Sequence, residues 1–267
     1  MNPLKILSNA LLDPRVRGVN VDSDALLEAH SRVLSEKRMM REVFREFYDL
    51  CISIDHRYFI GSGRRLEVGA GVSFFKKIYP DIVSTDIKTA RNLDCVLDAL
   101  RMGIRPGSLR AVYALNCFHH LPDPELFFQE LNRVLSPGGG LVLIEPYYGM
   151  VAKRFYRNLF PTETFDETQR DWVTSTDGVM AGANQALSFL VFIRDARLFH
   201  DRNPELEILF HTPLDNYLRY LISGGLNFRA LLPQSVTPFI RLCEKALFGL
   251  HKYLALHHVV VVRKRTS

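Results

Sequence analysis

The distribution of apolar and polar residues predicts alternating strands and helices through the middle of the chain. Short apolar runs bounded by glycine, proline or charged residues have the length of buried strands. They lie at residues 66–68, 82–85, 95–98, 109–115 and 141–145. The stretches between most of them leave room for crossover helices, and residues 109–115 are apolar enough to be covered on both faces. This order predicts a doubly wound α/β fold built on a parallel sheet.

Two crossover helices have recognisable ends. The helix predicted over residues 72–79 ends before Pro80, which cannot continue it. Asp123 is the predicted N-cap of a second helix, with Pro124 at the first helical position, and this helix runs to about Leu135. The Pro-Gly-Gly-Gly sequence at residues 137–140 predicts a turn before the fifth strand.

The chain ahead of the first strand, residues 1–60, is predicted to be a helical segment. Asp22 or Ser23 can cap a helix that begins near Asp24. Its apolar residues recur at helical spacing, at Val33, Met40, Phe44, Phe47 and Cys51. The pattern therefore predicts one amphipathic helix with a face that packs on the rest of the protein.

Two long insertions separate the last predicted strands. Residues 149–204 precede a sixth strand at 205–211, and residues 213–255 precede a last strand at 259–262. The second insertion carries an apolar stripe at helical spacing, made of Phe239, Leu242, Cys243, Ala246, Leu247, Leu250, Tyr253 and Leu254. This stripe over residues 239–254 either packs as a lid against the body or meets a membrane surface or a lipid-linked substrate.

A glycine turn follows the first strand, in the sequence Leu-Glu-Val-Gly-Ala-Gly at residues 66–71. Gly69 and Gly71 have no Cβ, so the backbone can turn tightly and approach a ligand. Asp86 ends the second strand, near the spacing of about 20 residues at which an acid meets a ribose hydroxyl in nucleoside-binding folds. Phe74 stands where a dinucleotide fingerprint has its third glycine, which disfavours a nicotinamide-dependent dehydrogenase.

Glu67 before the turn gives the pattern Glu-x-Gly-x-Gly, which resembles motif I of the class I S-adenosyl-L-methionine (SAM) dependent methyltransferases. The resemblance continues at Asp98, at residues 116–124 and at residues 133–145. One departure is Ser73, which stands where many members have a third motif glycine. The resemblance implies a Rossmann-like seven-stranded sheet, mostly parallel, with a C-terminal antiparallel hairpin and helical lid insertions.

The resemblance also implies how the chain is divided and which residues hold the cofactor SAM. Residues 1–60 would cap the core or pack at the sheet edge, residues 61–148 would bind SAM, and residues 149–204 and 205–267 would complete one domain. Asp86 would accept hydrogen bonds from the ribose, Asp98 from the adenine amino group, and Glu67 would orient the turn. The predicted cofactor-binding residues are Glu67, Gly69, Ala70, Gly71, Asp86, Ile87, Asp98, Ala99 and Asn116.

Three residues are candidates for catalysis: His119, His120 and Glu145. Histidine titrates near neutrality, so it can take the proton of a hydroxyl as the methyl group is transferred. In the family that the chain resembles, this segment and the acid after the fifth strand often line the acceptor site. Two alternatives stay open: either the histidines simply cap the loop, or the acceptor has a low pKa and needs no base.

Composition narrows the functional classes. The 267 residues are 47% hydrophobic with a net charge of +5, and the charges are scattered, so a nucleic-acid partner is not expected. The four cysteines form no C-x-x-C pair and no metal-ligand spacing, which predicts reduced thiols, no metal and a cytoplasmic protein. No apolar run predicts a signal peptide or a membrane span.

The sequence therefore predicts a SAM-dependent methyltransferase that methylates an oxygen of a small molecule, a glycan or a lipid-linked acceptor. The alternative is a catalytically inactive methyltransferase-like module that acts through a partner. A nucleic-acid methyltransferase is disfavoured because Asn-Cys-Phe-His at residues 116–119 replaces the Pro-Pro-Tyr or Pro-Pro-Phe motif of enzymes that target bases.

Overall fold

Seven strands form one mixed sheet in the computed structural model, which describes residues 8–90, 92–159, 163–174 and 182–266. The strands are β1 (Arg64–Val68), β2 (Ile82–Asp86), β3 (Cys95–Val96), β4 (Leu109–Leu115), β5 (Leu135–Pro146), β6 (Leu206–Pro213) and β7 (His257–Lys264). Their order is β3-β2-β1-β4-β5-β7-β6. The first five strands are parallel, and β7 runs antiparallel to both β5 and β6. The predicted fold is confirmed, including the C-terminal antiparallel hairpin.

Ten helices in the described ranges surround this sheet. They are α1 (Asp24–Glu36), α2 (Arg38–Tyr58), α3 (Phe75–Ile78), α4 (Pro124–Val134), α5 (Met150–Leu159), α6 (Leu187–Phe189), α7 (Ala196–Arg202), α8 (Tyr217–Ser223), α9 (Thr237–Ala246) and α10 (His251–Leu254). Short 3₁₀ turns lie at Phe118–His120, Gln234–Val236 and Phe248–Leu250, and a π turn lies at Leu190–Arg194. None of these helices is long and apolar enough to cross a membrane.

Both faces of the sheet are covered, because successive side chains of a strand point to opposite sides. On β4, Val112 and Ala114 pack into an apolar cluster with α4 and the first insertion. Ala111 and Tyr113 pack on the other side, in a cluster that contains the buried face of α2. The carboxyl ends of the parallel strands are thereby held between two well-packed layers.

The N-terminal segment differs from the single helix that the apolar spacing predicts. The helix is interrupted at Lys37, which separates α1 from α2 with φ −85° and ψ 90°. The Lys37 ammonium is buried and donates hydrogen bonds to the carbonyls of Gly225 and Phe228, in the second insertion. Ser23 lies at the N-cap of α1, but its hydroxyl donates to the carbonyl of Asn20 instead of capping the helix.

Two local predictions around the parallel strands also need correction. The helix after the glycine turn covers only Phe75–Ile78, since the Ser73 hydroxyl accepts from the Phe75 N–H and shapes an irregular start. The residues 137–140 do not separate α4 from β5, which begins directly at Leu135. A shift in the pairing of β4 with β5, from Leu135 to Gly140, accommodates the extra residues.

The apolar stripe of the second insertion is divided between two environments. Phe239 and Leu242 are 64% and 63% exposed, whereas Ile240 and Glu244 face the body of the protein. Glu244 can be buried because its carboxylate accepts from the Arg219 side chain (Nε–Oε2 2.6 Å). The Arg219–Glu244 pair therefore lies on the inward face of α9, and part of the predicted apolar stripe is exposed.

Candidate active site

A cavity of ≈ 420 Å³ lies at the carboxyl ends of the parallel strands, where doubly wound sheets bind their ligands. All nine residues predicted to hold the cofactor line it, and so do His119 and His120. Helices α1 and α2 and both insertions contribute further walls, with Leu27, Phe44, Tyr156, Glu163, Tyr220 and Asn227. The cavity thus joins the glycine turn and the histidine segment in one space.

The glycine turn is fixed by Asp86. Gly69 and Gly71 have φ angles of +64° and +50°, which residues with a Cβ rarely adopt. One Asp86 carboxylate oxygen accepts from the Gly71 N–H at 2.8 Å, and the other accepts from the Lys88 N–H at 2.9 Å. A Cβ on Gly69 would come within 2.1 Å of Cys117 Sγ, so the turn packs directly against the segment that carries the histidines.

Glu67 lies beneath this turn and is buried, with 1% of its surface exposed. Its carboxylate accepts a hydrogen bond from the Ser84 hydroxyl at 2.8 Å. Burial, only partly offset by hydrogen bonds from Ser73 and Ser84, raises the pKa of Glu67 to about 7. Glu67 therefore holds its proton more tightly than an exposed glutamate does, and a cation in the cavity would favour its charged form.

Two predicted cofactor residues are held at the ends of neighbouring strands. One Asp98 oxygen accepts from the Leu100 N–H at 2.8 Å. Asn116 follows β4 with a φ of +49°, the only positive φ of a non-glycine residue in the described ranges. Asparagine tolerates this conformation better than most residues do. The backbone at Asn116 is thereby turned at the point where the chain passes from β4 to the histidines.

Glu145 positions His119 and does not line the cavity wall. One Glu145 oxygen accepts from the backbone N–H groups of Cys117 and Phe118, at 2.9 and 2.8 Å. The other lies 2.5 Å from His119 Nδ1. Because both oxygens are engaged and the side chain is fully buried, the prediction that Glu145 contacts the acceptor becomes a proposal for a positioning role.

Glu163 is a site residue that the sequence analysis did not identify. It comes from the first insertion, and its oxygen lies 3.6 Å from His119 Nε2 and accepts from Gln185 Nε2 at 2.5 Å. His119, His120 and Glu163, which we call the acceptor cluster, each place one donor atom within 4.8 Å of the others. A lone glutamate in a long insertion forms no motif, so only the fold reveals this group.

The charges of the acceptor cluster are coupled. Burial by itself lowers the pKa of His119, but the carboxylates of Glu145 and Glu163 outweigh it and raise this pKa to about 10. Burial likewise opposes ionisation of Glu163, but the contact with His119 outweighs it and lowers the pKa of Glu163 to about 2. The two neighbouring carboxylates therefore favour the protonated form of His119.

His257, at the start of β7, also lines the cavity. Its ring contacts Tyr220 edge to face, with the ring centroids 4.5 Å apart. Burial lowers the pKa of His257 to about 3, and the positive charge of His119 adds to this effect. His257 is therefore neutral, and it forms part of the cavity wall.

Comparison with known proteins supports the identification of the turn. The family model described as "Methyltransferase domain" matches residues 66–143. The match contains the glycine turn, Asp86, Asp98 and both histidines of the acceptor cluster. It confirms the resemblance to the class I SAM-dependent methyltransferases.

Among curated proteins, a highly reducing polyketide synthase from Aspergillus luteorubrus is 37% identical over 60 residues. These are 22% of this chain and 2% of the synthase, so the chain spans a small fraction of that relative.

Two solved structures share the overall fold. The geranyl diphosphate C-methyltransferase from Streptomyces coelicolor A3(2), in complex with Mg²⁺, geranyl diphosphate and S-adenosyl-L-homocysteine, has a TM-score of 0.52 at 13% identity. The alignment covers 96% of this chain and 89% of that one. A geranyl diphosphate methyltransferase bound to its substrate and sinefungin has a TM-score of 0.50 at 14% identity, covering 88% and 82% of the two chains. At these identities the similarity is one of fold.

Proposed function

We propose that this chain, which carries a class I SAM-dependent methyltransferase domain and uses S-adenosyl-L-methionine as its cofactor, methylates a hydroxyl oxygen of its acceptor. The acceptor is a small molecule, a glycan or a lipid-linked compound. The observation that carries the proposal is the single cavity that contains both the glycine turn and the acceptor cluster. A methyl donor and its acceptor must share such a space for in-line transfer.

In this proposal SAM binds along the ends of β1, β2 and β4. Its methionine part passes the turn at Gly69 and Gly71, and its ribose hydroxyls donate to Asp86, whose carboxylate can accept further hydrogen bonds. The adenine lies near Ile87, Asp98 and Ala99, and Asn116 lies beside the methionine part. The sulfonium and the amino group supply the positive charge that favours ionised Glu67.

The acceptor lies beside the acceptor cluster. The oxygen forms a bond to the methyl carbon as the bond from that carbon to sulfur breaks, and S-adenosyl-L-homocysteine leaves as a neutral thioether. The hydroxyl proton must go to a base. The two carboxylates beside His119 favour its protonated form, so His120 is the proposed base, and Glu145 keeps the neighbouring ring in place through His119 Nδ1.

A methyl-transfer assay tests this proposal. We expect a panel of hydroxylated acceptors to give production of S-adenosyl-L-homocysteine, and His120→Ala to lower kcat by ~10²-fold with the SAM dissociation constant nearly unchanged. His56→Ala, at an exposed position on α2, is the matched control and should retain full turnover. If His120→Ala turns over like the control with the same acceptor, His120 is not the base.

We also propose that residues 239–254 contact a membrane surface. The exposed apolar side chains there are Phe239, Leu242, Phe248, Leu250 and Tyr253. Lys245 and Lys252 are exposed beside them, so the surface combines apolar side chains with positive charge. This combination favours anionic lipid, and it would bring a lipid-linked acceptor to the protein.

A further inference from the structure

We propose that the acceptor cluster, His119, His120 and Glu163, binds a divalent transition-metal ion that holds the acceptor oxygen. Two imidazoles and one carboxylate are ligands that Zn²⁺, Fe²⁺ and Mn²⁺ accept, with positions left open for a substrate oxygen. The sequence analysis predicts no metal, because the third ligand, Glu163, lies outside any local spacing motif. The site stands on the geometry of the cluster, and its role in methyl transfer rests on the proposed function.

The spacing of the donor atoms fits such an ion with a small contraction. His119 Nε2 and Glu163 Oε2 are 3.6 Å apart, beyond ordinary hydrogen-bond distance. Two ligands of a tetrahedral ion, each bound at about 2.1 Å, are about 3.4 Å apart. All three donor atoms lie within 4.8 Å of one another. The three atoms are therefore near the spacing that the ligands of one ion require.

The surroundings of the cluster are those of a metal site. His119 Nδ1 lies 2.5 Å from Glu145 Oε2, so its N–H can donate to that carboxylate and leave Nε2 to face the cavity as a ligand. Metal-binding histidines usually donate their other ring N–H to a carboxylate or a carbonyl in this way. Glu145 is itself held by the N–H groups of Cys117 and Phe118, and Gln185 Nε2 donates to the Glu163 carboxylate.

The charge of the site also favours a cation. Glu145 and Glu163 are both buried around His119, with 0% and 9% of their side chains exposed. A divalent ion bound to two neutral imidazoles would balance these two carboxylates.

The ion would take over the role proposed above for His120 in removing the acceptor proton, because an imidazole bound to a metal cannot also accept that proton. A hydroxyl oxygen bound to the metal ionises at lower pH, because the metal stabilises the alkoxide or phenolate. Its proton passes to water, the bound oxygen forms the bond to the methyl carbon, and the bond from that carbon to sulfur breaks. The acceptors that fit are those with a second oxygen beside the reacting one, such as vicinal diols, catechols and hydroxy acids, which can chelate the ion.

Metal binding in the absence of SAM tests the site directly. The purified protein is stripped with a chelator, incubated with Zn²⁺, desalted and analysed for bound metal, and Co²⁺ is added in parallel as a spectroscopic probe of imidazole ligation. We expect one equivalent of Zn²⁺, lost in Glu163→Gln and in His120→Ala. The control His56→Ala should bind as the wild type does, and Glu145→Gln should weaken binding by about 10- to 100-fold.

The proposal is overturned if the wild-type protein binds no Zn²⁺. It is also overturned if Glu163→Gln and His120→Ala both bind Zn²⁺ as tightly as the wild type does. Titration of the same samples with SAM keeps the two proposals distinguishable. Protein that binds SAM but no Zn²⁺ retains the methyltransferase assignment and loses the metal site. Protein that binds Zn²⁺ through the cluster but no SAM retains the metal site and loses the proposed function. Retained SAM affinity in Glu163→Gln also shows that this variant is folded.

Discussion

Glu67, which lies beneath the glycine turn, makes the stability of the protein depend on pH. Burial raises its pKa to about 7 from an ordinary 4.5, so the folded protein binds this proton more tightly than the unfolded chain does. Between these two pH values the unfolded chain ionises first, and the free energy of unfolding falls as pH rises. Below pH 4.5 the effect is absent, and above pH 7 it is complete.

Replacing Glu67 with Gln removes this titration. The rise of this pKa from 4.5 to about 7 corresponds to about 3 kcal/mol, so the stability advantage of the variant should grow from nothing at pH 4.5 to about 3 kcal/mol at pH 8. Urea denaturation of both proteins at a series of pH values measures the difference. Parallel stability curves would mean that Glu67 is not protonated in the folded state near neutrality.

The glycine turn and the acid that fixes it could be predicted because their sequence signal is local. Gly69, Gly71 and Asp86 follow two short strands at a spacing that the fold imposes. Glu163 could not be predicted, since its partners His119 and Gln185 come from other segments. Glu145 was predicted to be a site residue, but the positioning role that we propose for it depends on the backbone of Cys117 and Phe118, which only the structure brings to it.

At the level of the secondary-structure elements, the glycine turn needs a residue without a Cβ at Gly69 for two reasons. One is the positive φ, and the other is the close packing of the turn against Cys117. Gly69 and Gly107 both have a φ of +64°, but a Cβ on Gly107 would meet no atom within 4 Å, whereas one on Gly69 would meet Cys117. Gly107→Ala should cost about 1 kcal/mol from backbone strain. Gly69→Ala should cost a further ~1–3 kcal/mol from overpacking and should weaken SAM binding.

Urea denaturation and SAM titration of the two alanine variants separate strain from contact. Equal stabilities and equal SAM affinities would show that Cys117 does not pack against the turn. Because the two positions share the same φ and differ in their surroundings, the difference between the two variants measures the contact with Cys117.

The exposed face of residues 239–254 predicts binding to anionic vesicles. Phe239 and Leu242 are largely exposed, so Phe239→Ser combined with Leu242→Ser should leave the free energy of unfolding nearly unchanged. The double variant should lose most of the wild-type binding to phosphatidylserine vesicles in a sedimentation assay, because apolar insertion is removed.

Ile60→Ser is the control for this experiment. Ile60 is 75% exposed and precedes β1, at the edge of the sheet opposite the strand ends that line the cavity. It should bind vesicles as the wild type does. Wild-type protein that does not sediment with anionic vesicles, or a double variant that sediments equally, would contradict membrane contact through this face.

Element boundaries were harder to predict than element types. The strands and α4 follow from apolar runs and from the Asp123 and Pro124 start signals, and the structure places them there. The break at Lys37 was missed because its partners, Gly225 and Phe228, are remote in sequence. The inward face of α9 was missed because the Arg219–Glu244 pair lies on it.

At the scale of the whole molecule, the fold brings four separate parts of the chain to one cavity. Helix α1 contributes Leu27, the sheet contributes the turn and the strand ends, and the two insertions contribute Glu163 and Asn227. The sequence predicted the sheet and the place of the insertions, because strand order and handedness leave few arrangements. It could not predict which insertion residues reach the cavity, since they are fixed by long-range packing.

The central claim is that this cavity binds SAM, and calorimetric titration tests it most directly. Wild-type protein should bind SAM and S-adenosyl-L-homocysteine with micromolar affinity and should not bind NAD. Asp86→Ala should weaken both complexes by about 1.5–3 kcal/mol, the range for hydrogen bonds to a charged group. Absence of binding to either sulfur nucleoside, or an unchanged affinity in folded Asp86→Ala, would contradict the account.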